Sequence, residues 1–369
     1  MTRWLRPSLN WLLVLVPAAV LAERLQPQAH GTIFLLACGA VVPLAGWMGK
    51  ATEHLADRGG AGLGGLLNAT FGNAAELIIA LVALQRGLTE VVKASLTGSI
   101  LGNLLLVLGA STLAGGLKHP QLRFNPAGAR SQATMLTLAA IALIAPAGYH
   151  YLVGPGQAPR ENSLSLEISG VLLVTYAASL VFALRTHRRL FQEPAAEAAA
   201  IESHGPAWSV RRSVLVLLGA TALIAWMSEI LVGSVEPAAR DFGMTSLFVG
   251  VVVVAIIGNA AEHSTAIVMA RKNRMDLSLG IAIGSSIQIA LFVAPVLVLL
   301  SHVLGPAPMD LVFTPAEVIA LALAIAITGQ VAGDGESHWL EGVQLLAVYA
   351  ILALVFFFLP EPGLSVVRP

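Results

Sequence analysis

Long apolar runs separated by short polar breaks fill almost the whole chain. A helix that crosses a bilayer needs about 20 mostly apolar residues. Runs of this kind cover about residues 9–25, 30–52, 62–86, 91–117, 130–151, 164–185, 210–235, 245–271, 276–303, 312–332 and 338–359. The pattern predicts an all-α membrane protein with eleven transmembrane helices. A closed β-barrel would instead show alternating segments of roughly ten residues. The first run is the weakest, because Arg3, Arg6, a short apolar stretch and Val20-Leu21-Ala22 also resemble a secretory signal. A retained first helix is the favoured reading. The one extended polar stretch, 186–209, carries Arg188, Arg189, Glu193, Glu197 and Glu202. It reads as a solvated cytoplasmic connector in preference to a regulatory element.

Composition agrees. The 369 residues are 56% hydrophobic and 11% charged, with a mean hydropathy of +0.80. Soluble domains carry roughly 25% charged residues. A net charge of zero gives no electrostatic case for nucleic acid. A single cysteine, Cys38, rules out an internal disulfide framework and a cysteine metal cluster, and reads as a small buried apolar residue. With eleven spans, fifteen of the 21 Lys and Arg fall on the side that holds the N-terminus. The positive side is cytoplasmic, so the N-terminus is expected inside and the C-terminus outside.

The sequence Gly-Asn-Ala-Ala-Glu occurs twice, at 72–76 and 258–262. An offset of 186 pairs Glu76 with Glu262, Arg86 with Lys272, Glu90 with Asp276, Gly98 with Gly284 and Ser99 with Ser285. Thr52-Glu53-His54-Leu55 echoes Ser228-Glu229-Ile230-Leu231, and Leu166-Glu167 echoes Leu340-Glu341. Five spans separate the third helix from the eighth, so the second copy crosses in the opposite sense. That is an inverted-topology repeat, common among secondary transporters. The expected division is a first helix in 1–28, a first repeat in 29–185 (helices 2–6), the connector 186–209 and a second repeat in 210–369 (helices 7–11).

A carboxylate deep in a membrane is costly, and two in matching positions suggest one ion site built from two halves. Asn73 and Glu76 are three apart and share a helix face, as do Asn259 and Glu262. The following helices supply Ser99 and Asn103, and Ser285 and Gln288. Brought together at mid-membrane, these groups form a cage of oxygens. Oxygen ligands favour a hard cation, and Ca²⁺ takes about 6–8 of them, so backbone carbonyls near Gly72 and Gly258 or waters would complete the shell. In the unloaded site, burial and mutual repulsion favour the neutral carboxyls, so protons compete with the cation for the same oxygens. Helix–helix hydrogen bonding is a rival explanation for each amide and hydroxyl. Close backbone packing is the default reading of Gly98, Gly102, Gly280 and Gly284. His263 adjoins Glu262 but points about 100° away on a helix, which leaves a proton relay as its sharper reading. Glu53, Glu229 and Glu236 lie toward span ends, as vestibule acids or as exposed charge. Asp334, Glu336 and Glu341 fit a capped turn as well as an ion entrance.

These motifs resemble the calcium/proton antiporters, the cation/H⁺ exchanger branch of the calcium/cation antiporter superfamily. The resemblance covers nearly the whole chain. It rests on residues 63–80, containing Gly72-Asn73-Ala74-Ala75-Glu76, and on Gly98-Ser99-Ile100-Leu101-Gly102-Asn103. The second copy is Gly258-Asn259-Ala260-Ala261-Glu262-His263, then Gly284-Ser285-Ser286-Ile287-Gln288. Trp339-Leu340-Glu341-Gly342 is also similar to the family pattern. The resemblance implies a separate first helix and two inverted five-helix repeats, with Glu76 and Glu262 binding the cation and exchanging protons. It puts Asn73, Asn259, Ser99, Ser285, Asn103 and Gln288 around the site, and Glu53 and Glu229 on its access paths. Two departures stand out. The family's central acidic helix is reduced to Glu193, Glu197 and Glu202, and Glu336 and His338 replace an expected basic residue and an Asn.

The expected function is export of cytoplasmic Ca²⁺ against inward proton flow by alternating access, in the lipid bilayer of a bacterial plasma membrane. Ca²⁺ and H⁺ are cargo, and no cofactor is expected. A Na⁺- or K⁺-coupled cation/Ca²⁺ exchanger is the alternative, and a passive channel is a further rival. No GxxxxGK[ST] loop, HExxH pair or GxSxG elbow argues for ATP use or enzymatic hydrolysis. A homo-oligomer is compatible with the sequence.

Overall fold

The computed structural model describes residues 9–154, 158–187 and 208–360. Arg3, Arg6 and the connector residues Arg188, Arg189, Glu193, Glu197 and Glu202 lie outside the described residues. The described residues are helical nearly throughout. After a 3₁₀ turn, Leu9–Val14, come α1 (Leu15–Leu25), α2 (His30–Phe71), α3 (Ala74–Gln85), α4 (Thr89–Gly116), α5 (Pro126–Val153) and α6 (Ala158–Val181). There follow α7 (Val210–Asp241), α8 (Ser246–Gly258), α9 (Ala260–Arg271), α10 (Met275–Leu304), α11 (Pro315–Val331) and α12 (Trp339–Phe358). Among the described residues, seven helices are long and apolar enough to cross a membrane, or eight if the bent pair α8–α9 is one span.

Helix ends follow local chemistry. Asn125 caps α5 by accepting from the amides of Ala127 and Gly128, with Pro126 in the first turn. Ser209 caps α7 by accepting from Arg212 N. Thr314 and Glu317 form a capping box on α11. Gly154, at φ +73°, terminates α5 in a conformation that side chains resist.

Two boundaries differ from the sequence expectation. The second and third spans were expected to separate between residues 52 and 62, yet α2 runs unbroken to Phe71. The charges there mark polarity, but no proline interrupts the chain between Pro43 and Phe71, so nothing forces the helix to end. The break comes instead at Gly72-Asn73. The eighth span is likewise discontinuous, with α8 and α9 meeting at Asn259 at 62°. Gly and Asn are both weak helix formers, so the repeated pair places both breaks.

Packing orders the bundle around α4 and α10. Helix α2 lies along α7. Helix α4 packs on α12, α9 and α11, while α10 packs on α6, α3 and α5. Without a hydrophobic force between helices in lipid, close backbone approach supplies much of the attraction. Gly98 of α4 faces the backbone of Val251 on α8, and Gly342 of α12 faces Gly109 O and Leu113 N on α4. The expectation of similar packing at Gly102, Gly280 and Gly284 is not met: among the described residues nothing lies within 4 Å of a Cβ built there. Small residues four apart make a smooth stripe, but a helix must lie opposite to use it.

A two-residue ribbon, β1 (Leu122–Arg123) with β2 (Glu336–Ser337), joins the α4–α5 and α11–α12 connections. Glu336 pairs with Arg123 at 3.4 Å and accepts from Gln121. The Glu336 amide donates to Asp334 Oδ1 at 3.2 Å, and Glu341 closes a capping box with His338. A capped turn therefore accounts for this acidic cluster.

Gly98→Ala should clash with the Val251 backbone and destabilise the bundle by about 1–3 kcal/mol. Gly219→Ala on α7, where nothing lies within 4 Å, should be neutral or stabilising. Unfolding midpoints in detergent check both; equal midpoints would contradict the packing account.

Candidate cation site

Both acidic residues sit in the first turn after a helix break. Asn73 precedes α3 and Asn259 precedes α9, each with non-helical dihedrals (φ −105°, ψ 27° and φ −94°, ψ 3°). Glu76 and Glu262 thus occupy the third position of their helices, where free amides and the helix dipole favour negative charge. The asparagines were expected to ride on a continuous helix with the acids; they stand at its mouth instead.

The structure ties the two halves together at these breaks. Asn73 Nδ2 donates to Gln288 Oε1 at 2.6 Å, and the Ser285 hydroxyl donates to Asn73 Oδ1 at 2.7 Å. In the other half, Asn259 Nδ2 donates to Ser99 Oγ and to Ala255 O, both at 3.0 Å. Each asparagine therefore bonds a hydroxyl on the helix that follows the opposite break. The two hydroxyl bonds are equivalent under the offset of 186, except that donor and acceptor are exchanged.

Glu76 is buried, 7% exposed, and Glu262 is half-buried. A Cβ built on Gly258 would stand 3.3 Å from Glu76 Cγ and 3.5 Å from its Oε1. The absence of a side chain at Gly258 lets the Glu76 carboxyl reach the second break. Glu262 lies four residues beyond Gly258, in the first turn after that break. Oε2 of Glu76, Oε2 of Glu262 and Oδ1 of Asn259 are buried with no hydrogen-bond partner among the described residues. Buried acceptors in this state are costly, by about 1–3 kcal/mol each and more if charged. A proton or a hard cation satisfies them. Among the described residues no three His, Cys, Asp and Glu side chains group as a metal centre, so a cation here would draw on amide and hydroxyl oxygens besides two carboxylates.

The remaining expected residues are less engaged. Asn103 is buried in a π-helical turn of α4, Gly102–Val107, with no partner for Nδ2 among the described residues. His263 is half-buried, and among the described residues no hydrogen bond joins its Nε2 to Glu262 or to another group. Glu53 is exposed on α2. Glu229 lies well inside α7, which continues to Asp241, and pairs with Arg86 at 3.5 Å. Glu236 pairs with Arg240 at 3.9 Å, one helical turn on.

A second polar cluster escaped the sequence reading. Lys93 on α4, 6% exposed, donates to Val312 O at 3.0 Å and contacts Asp310 at 2.7 Å and Glu90 at 3.3 Å. One turn on, Thr97 donates to Glu317 Oε1 at 3.0 Å, while Glu317 Oε2 accepts from Thr314 N and Oγ1. Glu317 is 1% exposed. The cluster fastens α11 and the loop before it to α4. Its one sequence signal was the Thr314-Pro315-Ala316-Glu317 capping pattern.

Comparison with known proteins gives one consistent picture. The family model described as sodium/calcium exchanger protein matches residues 30–185 and 212–358. A Ca(2+)/H(+) antiporter of Synechocystis sp. is 46% identical over 361 residues, covering 95% of this chain and 96% of that protein. The Ca(2+)/H(+) antiporter ChaA of Bacillus subtilis is 47% identical over 346 residues, covering 93% and 97%. The solved structure of native YfkE superposes with a TM-score of 0.81 at 42% identity, over 95% of this chain and all of that one. An H+/Ca2+ exchanger CAX structure shares the fold, with a TM-score of 0.67 at 15% identity, covering 95% and 91%.

Asn73→Ala strands Gln288 Oε1 and the Ser285 hydroxyl, and should cost about 1–3 kcal/mol. Ser99→Ala leaves Asn259 Nδ2 its bond to Ala255 O, and should cost about 1 kcal/mol or less. Thermal unfolding in detergent separates them, and equal losses would contradict the asymmetry.

Proposed function

The chain belongs to the sodium/calcium exchanger protein family, and from that premise we propose that it exchanges Ca²⁺ for protons across a membrane as a secondary active transporter. The observation that carries the reading is the duplicated acid, Glu76 and Glu262, each at a helix break whose asparagine bonds the other half. Glu76 and Glu262 hold either the cation or protons. Asn73, Asn259, Ser99, Ser285, Asn103 and Gln288 support the site, and His263 borders it. Loading by a divalent cation or by two protons neutralises the pair; the unloaded, charged pair is the costly state to move through a membrane. Obligatory exchange follows from that difference.

The finer architecture we propose is eleven transmembrane helices, a separate first helix and two inverted five-helix repeats flanking the connector. The pairing of contacts supports it. Packing of α4 on α12 is matched by α10 on α6, α9 on α4 by α3 on α10, and α10 on α5 by α4 on α11. Each pair interchanges when the two halves are exchanged. Alternating access then amounts to helices sliding about a fixed midplane site. Glu53, Glu229 and Glu236 line the approaches. The protein sits in a bacterial plasma membrane with its N-terminus in the cytoplasm and its C-terminus outside, exporting Ca²⁺ from the cytoplasm.

The test is ⁴⁵Ca²⁺ flux in Na⁺- and K⁺-free liposomes under an imposed pH gradient. Flux should follow the gradient, and Glu76→Gln or Glu262→Gln should abolish it while leaving the unfolding midpoint within a few degrees. Flux requiring Na⁺ or K⁺, or surviving both substitutions, would overturn the proposal. Acidifying the face that offers Ca²⁺ should raise the half-saturating Ca²⁺ concentration, since protons and cation compete for one pair of carboxylates. Half-saturation independent of pH on that face would contradict the shared site.

A further inference from the structure

We infer that Arg86 is a tethered counter-cation on the access path: its guanidinium occupies the Glu229 carboxylate, and the transported cation must displace it. The inference rests on the exchanger reading above and adds a residue that sets apparent cation affinity on one face of the membrane.

Arg86 immediately follows the last residue of α3, the helix that carries Glu76 in its first turn. The two are about 15 Å apart along that helix. Arg86 Nη2 meets Glu229 Oε2 at 3.5 Å across the α3–α7 contact. The guanidinium also lies against Gly233, one turn beyond Glu229 on α7, where a Cβ would stand 2.5 Å from Nη1. A bare backbone at Gly233 is what lets the planar group lie on the helix. A basic residue at the end of α3 favours the helix dipole, and Lys272 repeats this at the end of α9. The dipole accounts for the charge. It does not account for the carboxylate partner or the glycine beneath the guanidinium.

Both charged groups remain open, with side chains 39% and 60% exposed. Facing lipid, such charges would be costly. The exposed stripe of α7 changes character at this level. Leu215, Leu218 and Trp226 give way to Glu229, half-buried Glu236 and Arg240. Glu229, Gly233, Glu236 and Arg240 follow at helical spacing, so the polar half of the stripe forms one wet track toward the end of α7. A cation moving along it meets Glu229 already paired. An open ion pair of this kind is weak, so a divalent cation can replace the guanidinium, while one that binds carboxylates poorly cannot.

The experiment compares wild type, Arg86→Gln, Arg86→Lys, Glu229→Gln and the Arg86→Gln/Glu229→Gln double variant in proteoliposomes, with Ca²⁺ added to one face at a time. Arg86→Gln should lower the half-saturating Ca²⁺ about fivefold on one face only, without raising the maximal rate. Arg86→Lys should keep most of the wild-type value. In the Glu229→Gln background, Arg86→Gln should change nothing. An unmoved half-saturation in Arg86→Gln, a shift equal on both faces, or a shift that persists without Glu229 would overturn the role. Wild-type vesicles that carry no proton-coupled Ca²⁺ flux would overturn the exchanger reading and this inference with it. Intact wild-type exchange with an unmoved half-saturation removes Arg86 alone.

Discussion

Two reciprocal bonds, Asn259 to Ser99 and Ser285 to Asn73, hold the broken helices of one half against the intact helices of the other. They set where Glu76 and Glu262 point. If they let go, α3 and α9 lose their register with α10 and α4, and the two carboxyls separate. Each bond contributes about 1 kcal/mol net, but in a dry interior the alternative is a stranded amide or hydroxyl at greater cost. Their value lies in specificity of placement more than in stability.

The breaks themselves do chemical work. An uninterrupted helix would use its amides internally and offer nothing to an anion. By stopping at Gly72-Asn73 and at Asn259, the chain frees the first-turn amides of α3 and α9 and points two helix dipoles at the acids. That offsets part of the cost of burying carboxylates. The surrounding bundle can be tight because glycines such as Gly98 and Gly342 let backbones touch. Lys93 and Glu317 bolt α11 and the loop before it to α4 at one end.

Much of the acid placement was legible in the sequence. The duplicated five residues pointed to Glu76 and Glu262, and the constant offset of 186 pointed to Ser99 and Ser285. The breaks were less legible, since Gly72-Asn73 reads equally as a tolerated weak spot in a long apolar run. The continuity of α2 through Glu53 and Asp57 is not legible, since the charges lower the hydropathy of the run while no proline enforces a helix end. Pairs such as Thr97 with Glu317, which are 220 residues apart, leave no local pattern at all. Local sequence shows which residues are unusual; only packing shows which helix lies opposite, as the differing surroundings of Gly98 and Gly284 illustrate.

One carboxyl pair that accepts either a metal ion or hydrogen ions must release protons when it takes up metal. The most direct measurement is therefore proton release on Ca²⁺ addition to detergent-solubilised protein in weak buffer, followed across pH. Release of up to two protons per bound Ca²⁺, shrinking as pH rises and lost in Glu76→Gln/Glu262→Gln, is the predicted result. Ca²⁺ binding with no proton release at any pH would contradict the account.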